Sequence, residues 1–352
     1  MRVGFFVLGL IVLAACTGSK RMTAASDARQ GREVACIGFW NLENLFDTID
    51  NKGVWDTEFT PSGKRHYGTR IYYEKLTRLA EVISGIGTEI TPDGVAVLGV
   101  SEVENIGVLK DLVKQERVDK RDYQIIHRNS PDERGIDVAL LYQPKYFVPT
   151  NVETKSVTLF RHDGSRDYTR DVLHVEGKLL GEPMHFLINH WPSRSGGEEV
   201  SRSKRDSAAA VARRIIDKIY TKNPHAKIIV LGDFNDNPNN ESILQFLKAS
   251  PDKTGAKDTG LFNTTYGYYK SGIGTTAYRD AWSLFDQAIV SYPLLVADQG
   301  WKYVKTKIYN HRFMINPMGK YKGYPKRSFV GDAWQGGYSD HFPVYLYVTR
   351  KK

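Results

Sequence analysis

Cysteine is scarce in the 352-residue sequence: two residues, Cys16 and Cys36, exclude a disulfide scaffold and a cysteine-rich zinc module. No stretch rich in proline, glycine and serine interrupts the middle of the chain, and no internal repeat is visible. Two linked domains and a solenoid are therefore disfavoured. Long apolar runs are missing except at the extreme N-terminus. Acidic residues are missing from one long segment, between Asp298 and Asp332. A composition of 41% hydrophobic and 25% charged residues excludes wholesale disorder.

The N-terminal run begins with Met1 and Arg2, continues as the apolar Gly4 to Leu13, and closes on Leu13-Ala14-Ala15-Cys16. It is too short for a stable transmembrane helix and reads as a signal peptide over residues 1–15. Small residues directly before a cysteine resemble the bacterial lipoprotein signal, which implies acylation of Cys16. Residues 16–31 are small, polar and basic, as suits a flexible tether, and 32–352 form one folded domain. The expected location is the cell envelope, lipid-anchored, facing the periplasm or the cell surface. Cys36, within Val34-Ala35-Cys36-Ile37, is expected to be buried in a strand.

Apolar runs of strand length alternate with helical patterns: Val34–Trp40, Val95–Val100, Tyr123–Ile126, Ile136–Tyr142, Val152–Leu159, Val172–Leu179, His185–Asn189, Lys227–Leu231, Asp286–Ser291 and Val344–Val348. Several are apolar on both faces, as when a strand is covered on each side. Tyr72, Leu76, Leu79, Ile83 and Ile86 form one helical stripe, with Gly87 a natural stop. Ala208, Val211, Ala212, Ile215 and Ile219 form another. Many strands with few helices predict an α/β fold of two stacked sheets with helices outside.

Short polar clusters flank these strands: Trp40-Asn41-Leu42-Glu43-Asn44, Ser101-Glu102-Val103-Glu104-Asn105, Asn189-His190-Trp191-Pro192-Ser193, Gly232-Asp233-Phe234-Asn235-Asp236 and Ser339-Asp340-His341-Phe342-Pro343. Asp286 opens a further strand. Each cluster alone reads as a turn. Together they bring carboxylates, amides and imidazoles to strand ends, where ligands bind in layered α/β folds. Glu43, Glu102, Asp233, Asp286 and Asp340 make an oxygen-rich set suited to a hard cation such as Mg2+. No helical histidine pair at zinc spacing occurs. Such a set suits hydrolysis of a phosphate ester, with Asp233 taking a proton from water and Asn235 holding that water or a phosphate oxygen.

In order and in sequence, Trp40-Asn41-Leu42-Glu43, Ser101-Glu102-Val103, Asn189-His190, Gly232-Asp233-Phe234-Asn235, Phe285-Asp286 and Ser339-Asp340-His341 resemble the motifs of the endonuclease/exonuclease/phosphatase superfamily. The resemblance implies a four-layer α/β/β/α sandwich of two packed mixed sheets, and Mg2+-dependent cleavage of phosphoric esters, with Mn2+ or Ca2+ as substitutes. It implies that Glu43, Glu102 and Asp340 hold the metal and that Asn41 and Asn235 contact phosphate or water. Asp233 is then the base, and His341, held by Asp286, faces the scissile phosphate. His190 matches the position that is histidine in deoxyribonuclease-like and sphingomyelinase-like members. Glu43 stands where several members carry aspartate. Arg134 is expected to grip a phosphate, and Asp137 to orient His190.

The acid-free segment holds Lys302, Lys305, Lys307, Arg312, Lys320, Lys322, Lys326 and Arg327, interleaved with Trp301, Tyr303, Tyr309, Phe313, Tyr321, Tyr324 and Phe329. It is expected to lie beside the active crevice and track a nucleic-acid backbone or anionic lipid head groups. The leading expectation is a monomeric phosphodiesterase of the cell envelope acting on nucleic acid. The alternatives are a sphingomyelinase-like lipid phosphodiesterase, an inositol-phosphate phosphatase, and a non-catalytic lipoprotein that binds nucleic acid or lipid.

Overall fold

The computed structural model describes residues 31–352. The expected signal peptide, Cys16 with its expected acylation, and all of the predicted tether except Gly31 lie outside the described residues. Two large mixed sheets dominate. In chain order their strands are β1 (Arg32–Leu45), β2 (Val97–Val103), β3 (Gln124–His127), β4 (Asp137–Tyr142), β5 (Phe147–Lys155), β6 (Val172–Leu179) and β7 (Glu182–His190). They continue as β8 (Ile228–Asp233), β9 (Ala249–Ser250), β10 (Leu261–Asn263), β11 (Asp286–Ser291), β12 (Lys302–Ile308) and β13 (Val344–Lys351). One sheet has the order β12-β13-β1-β2-β4-β3; the other runs β9-β10-β11-β8-β7-β6-β5.

Alternation along the strands builds the layers. Ala35, Ile37 and Phe39 of β1 pack with Phe186 and Ile188 of β7 and Leu231 of β8, forming the core between the sheets. The intervening Cys36 and Trp40 point the other way, onto Leu76, Leu79 and Ile83 of helix α1 (Thr69–Gly85). On the far side Leu187, Ile228 and Val230 pack against Ala208, Ala212 and Ile216 of helix α2 (Glu198–Lys222). The result is the predicted α/β/β/α order of helix, sheet, sheet, helix.

Two differences from the sequence reading have physical reasons. Strand β5 starts at Phe147, ahead of the predicted Val152–Leu159, and takes in Pro149 at a register irregularity. An edge strand tolerates that missing amide donor. Strand β12, with three lysines and little apolar alternation, was not among the predicted strands; it is the opposite sheet's edge, where lysines discourage pairing between molecules. Among the described residues no helix is long and apolar enough to cross a membrane.

Candidate active site

The strand register assembles the polar clusters at one end of the sandwich. Asp233, the last residue of β8, pairs directly with Asp286 of β11 on one side and with His190 of β7 on the other. Gly232 permits this, because a Cβ there would stand 2.6 Å from the Asn189 carbonyl oxygen. In the other sheet, Asn41 of β1 pairs with Ser101 of β2, and both strands then break register. Glu43, Asn44 and Glu102 sit in these irregularities with φ of 50°, 55° and 58°, and Asn235 follows β8 with φ 50°. A non-glycine residue in the left-handed region costs of order 1–3 kcal/mol, so the surrounding contacts hold these four side chains in place against strain.

Asp233 is buried. Its Oδ2 accepts from Asn41 Nδ2 at 3.0 Å and its Oδ1 from the Asn235 amide at 2.9 Å. Burial pushes its carboxyl up to about 6; His341 opposes that shift, whereas Asp286 adds to it. His341 Nδ1 lies 2.6 Å from Asp286 Oδ2, and its Nε2 is 3.9 Å from Asp233 Oδ2. Burial works against the charged imidazole, but Asp286, Asp233 and the hydrogen bond outweigh it and hold His341 well above the usual histidine range. The loop carrying it is pinned to β1: Ser339 Oγ donates to the Asn41 carbonyl at 2.7 Å, and Trp40 Nε1 to the His341 carbonyl at 2.9 Å.

His190 is different. Burial, then the positive charge of Arg170, Arg134 and His341, holds it well below the usual range, so it is neutral. Its Nε2 faces Glu102 Oε1 at 3.8 Å and Asp233 Oδ2 at 3.7 Å, while its buried Nδ1 has no partner among the described residues. The proton belongs on Nε2, since the other tautomer would leave a buried, unpaired N–H at Nδ1 and turn the Nε2 lone pair toward two carboxylates. Asp137 does not orient this ring, contrary to expectation. It is held by His127 Nε2 at 2.8 Å and by the Ser130 amide at 2.7 Å. The residue that does hold the His190 segment is buried Arg170, which donates to the carbonyls of His190 and Trp191 and pairs with Asp132 at 3.0 Å.

Glu102 Oε2 accepts from the Asn44 amide at 2.9 Å, and Arg134 reaches the Asn44 side chain. Glu43 is engaged from a direction the motifs do not indicate. Its Oε2 accepts from the Ser328 amide at 2.6 Å, and Arg327 bridges it to Asp340, with Nε 3.4 Å from Glu43 Oε1 and Nη2 3.0 Å from Asp340 Oδ2. Beneath them the buried Lys75 donates to the Glu43 carbonyl and to Ser328 Oγ, both at 2.7 Å. Lys75 carries a sequence signal: it is a lysine on the apolar face of α1, between Tyr72 and Leu79. Arg327 and Ser328 have none beyond their place in the basic segment.

That segment divides. Lys320, Tyr321, Tyr324, Lys326 and Arg327 line a cleft of about 1080 Å³ that opens beside Asn235, Asp340 and His341. Lys305 and Lys307 instead lie over Tyr347 and Tyr345 on the edge of the first sheet, and Trp301, Tyr309 and Phe329 are buried. The expected continuous basic track beside the crevice is therefore limited to its second half.

The profile of the Endonuclease/Exonuclease/phosphatase family matches residues 36–350. The chain belongs to that family. It is accordingly a phosphoric ester hydrolase, of a family whose enzymes depend on a divalent metal. Among curated proteins no sequence matches it. Solved structures share the fold. Truncated Caenorhabditis elegans TDP2 aligns over 90% of this chain and 97% of its own with 17% identity and a TM-score of 0.53. D. rerio TDP2 in complex with a single-strand DNA product aligns over 90% and 99%, with 12% identity and a TM-score of 0.52. The mannosyl-6-phosphatase Bt3783 of Bacteroides thetaiotaomicron aligns over 89% and 99%, with 15% identity and a TM-score of 0.50.

The donor set fits the metal that the family implies. Burial, then Asp340, lifts the Glu43 carboxyl to about 7, with Lys75 and Arg327 opposing that shift. Every side-chain donor in this group is a carboxylate oxygen, the preference of a hard divalent cation. Glu43, Glu102 and Asp340 do not bring ligand atoms within 4.8 Å of one another; among the described residues only Asp233, Asp286 and His341 do. There the imidazole Nδ1 is already committed to Asp286, an arrangement suited to moving protons.

Asp236 ends the Gly-Asp-Phe-Asn-Asp run and turns inward, 2.7 Å from Nε of the fully buried Arg205 and 3.1 Å from Nη2 of Arg194. Arg194 also donates to the Asn235 carbonyl at 2.8 Å. Arg205→Met removes one of the two cations on Asp236 while Arg194 and Ser242 remain, and about 1–3 kcal/mol of stability is expected to be lost in urea unfolding.

Proposed function

We propose that the enzyme is a Mg2+-dependent phosphodiesterase that hydrolyses nucleic acid by in-line attack of water, anchored to the cell envelope through acylated Cys16. The observation carrying the substrate is the cleft wall beside His341. Tyr278, Tyr321 and Tyr324 stand there among Arg279, Lys320 and Lys326. Tyr278 is 71% exposed and Tyr321 40%, leaving aromatic faces on which unpaired bases can stack beside cations that follow the backbone. The fold shared with TDP2 bound to single-strand DNA product supports the same reading. The N-terminal pattern before Cys16 supports the anchor.

Glu43, Glu102 and Asp340 would hold the ion, and Mn2+ or Ca2+ would suit the same oxygens. The ion, when bound, offsets charge on the phosphate and on the departing oxygen. Asp233, ionised above about pH 6 and steadied by Asn41 and the Asn235 amide, accepts the proton of the attacking water. The imidazolium of His341, fixed by Asp286, donates toward the phosphoryl oxygens, and neutral His190 donates through Nε2. Arg134, held at the Asn44 side chain, would grip a phosphate oxygen.

Turnover of single-stranded DNA, duplex DNA, RNA, sphingomyelin, inositol phosphates and sugar 6-phosphates, each with Mg2+ and with excess chelator, tests this. Chelator-sensitive cleavage of single-stranded nucleic acid above all others is expected; preferential release of phosphate from a sugar or inositol ester contradicts it. The pH profile adds a second check. Asp286 stabilises charged His341, so Asp286→Asn lowers the imidazole's pKa, and the alkaline limb of kcat/KM is expected to move to lower pH. An unmoved limb would place that proton elsewhere.

A further inference from the structure

Arg327 neutralises the same carboxylates that the reading above assigns to the cation. Its Nε faces Glu43 and its Nη2 faces Asp340, and the negative charge of Glu102 also acts on it. The oxygens it holds, Glu43 Oε1 and Asp340 Oδ2, are ones an ion would take. An ion bound there would stand against the guanidinium at a separation where like charges repel strongly.

The side chain is built to leave. Its neighbour Ser328 is fully buried, fastened by its amide to Glu43 Oε2 and by its hydroxyl to Lys75, so the backbone stays fixed whichever way the guanidinium points. The Arg327 side chain itself remains 48% exposed and lines the cleft with Lys326 and His341. A guanidinium turned that way presents a planar fork to whatever anion enters, the geometry that grips phosphate in two places.

We infer that Arg327 is a displaceable counter-ion: it holds the acidic group closed without metal, yields Glu43 and Asp340 to the arriving divalent cation, and then binds the substrate phosphate. This rests on Glu43, Glu102 and Asp340 being the cation's ligands. Metal and substrate binding are thereby coupled through one side chain, since the cation frees the group that receives the phosphate.

Two measurements on the intact protein test it. Mn2+ binding, followed by electron paramagnetic resonance, is expected to be about tenfold tighter in Arg327→Gln than in the parent, because the internal competitor is gone. In the unmutated protein, modification of Arg327 by phenylglyoxal, followed by mass spectrometry, is expected to speed up several-fold with Mg2+ and to slow again when inorganic phosphate is added. Mn2+ that binds normally while Arg327 labelling stays unchanged or slows with Mg2+ overturns the inference alone. Weaker Mn2+ binding in Arg327→Gln does the same, by making the arginine a support of the ligands. No Mn2+ binding in the parent protein removes the ligand assignment and the inference with it.

Discussion

Asp233→Asn is expected to lower kcat/KM by about 10³- to 10⁴-fold, the upper part of the range for removing a general base. The change is close to isosteric. It removes a buried negative charge whose carboxyl is already pushed up to about 6, chiefly by burial. Relief of the buried charge is offset by the loss of one acceptor, because the new amide NH2 faces either Asn41 Nδ2 or the Asn235 amide. A loss of at most about 1–3 kcal/mol in stability is therefore expected while turnover collapses. A protein that stays folded at the assay temperature while turnover falls that far separates a chemical role from a structural one. Activity within threefold of the parent, at equal stability, would take Asp233 out of the reaction.

His341→Ala is expected to cost about 10²- to 10³-fold in kcat, the scale of a lost donor to developing oxyanion charge. Here stability moves as well. Asp286 has no exposed side-chain surface, and His341 is its charged partner at 2.6 Å. Stranding that carboxylate is expected to cost about 3–5 kcal/mol in urea unfolding. Adding Asp286→Asn to His341→Ala removes the stranded charge, and much of that stability is expected to return with no recovery of activity. A double variant as unstable as the single one would show that the cost lies in packing around the imidazole.

Much of the fold is legible in the sequence, and the exceptions have physical causes. The strands of the sandwich were legible because both sheets are covered on both faces, giving apolar runs such as Ile228–Leu231 that stand out from their surroundings. The lysine-rich β12 was not, because an edge strand is selected for what it repels. At the site, the motif residues sit where strands end, so the order of strands in the sheets brought Asn41, His190, Asp233, Asp286 and His341 together. Positions defined by tertiary contact alone carried no local signature. Arg327 and Ser328 reach Glu43 across 284 and 285 residues of sequence, and Asp132 meets Arg170 through a buried pair in a loop region. Asp137 shows the converse, a plausible acid near a histidine in the motif order that the fold gives to His127 instead. Bulges are equally silent: the left-handed backbone at Glu43 and Glu102 aims two acids without any glycine to announce it.

One ion and one phosphate are expected to share this strand-end cluster. A crystal structure of the protein soaked with Mn2+ and a non-hydrolysable phosphorothioate oligonucleotide measures that directly. The anomalous signal of manganese is expected among Glu43, Glu102 and Asp340, with the phosphorus between it and the Asp233–His341 pair and the bases along Tyr321 and Tyr278. Manganese bound away from Glu102, or a phosphate lodged outside the reach of both Asp233 and His341, would contradict it.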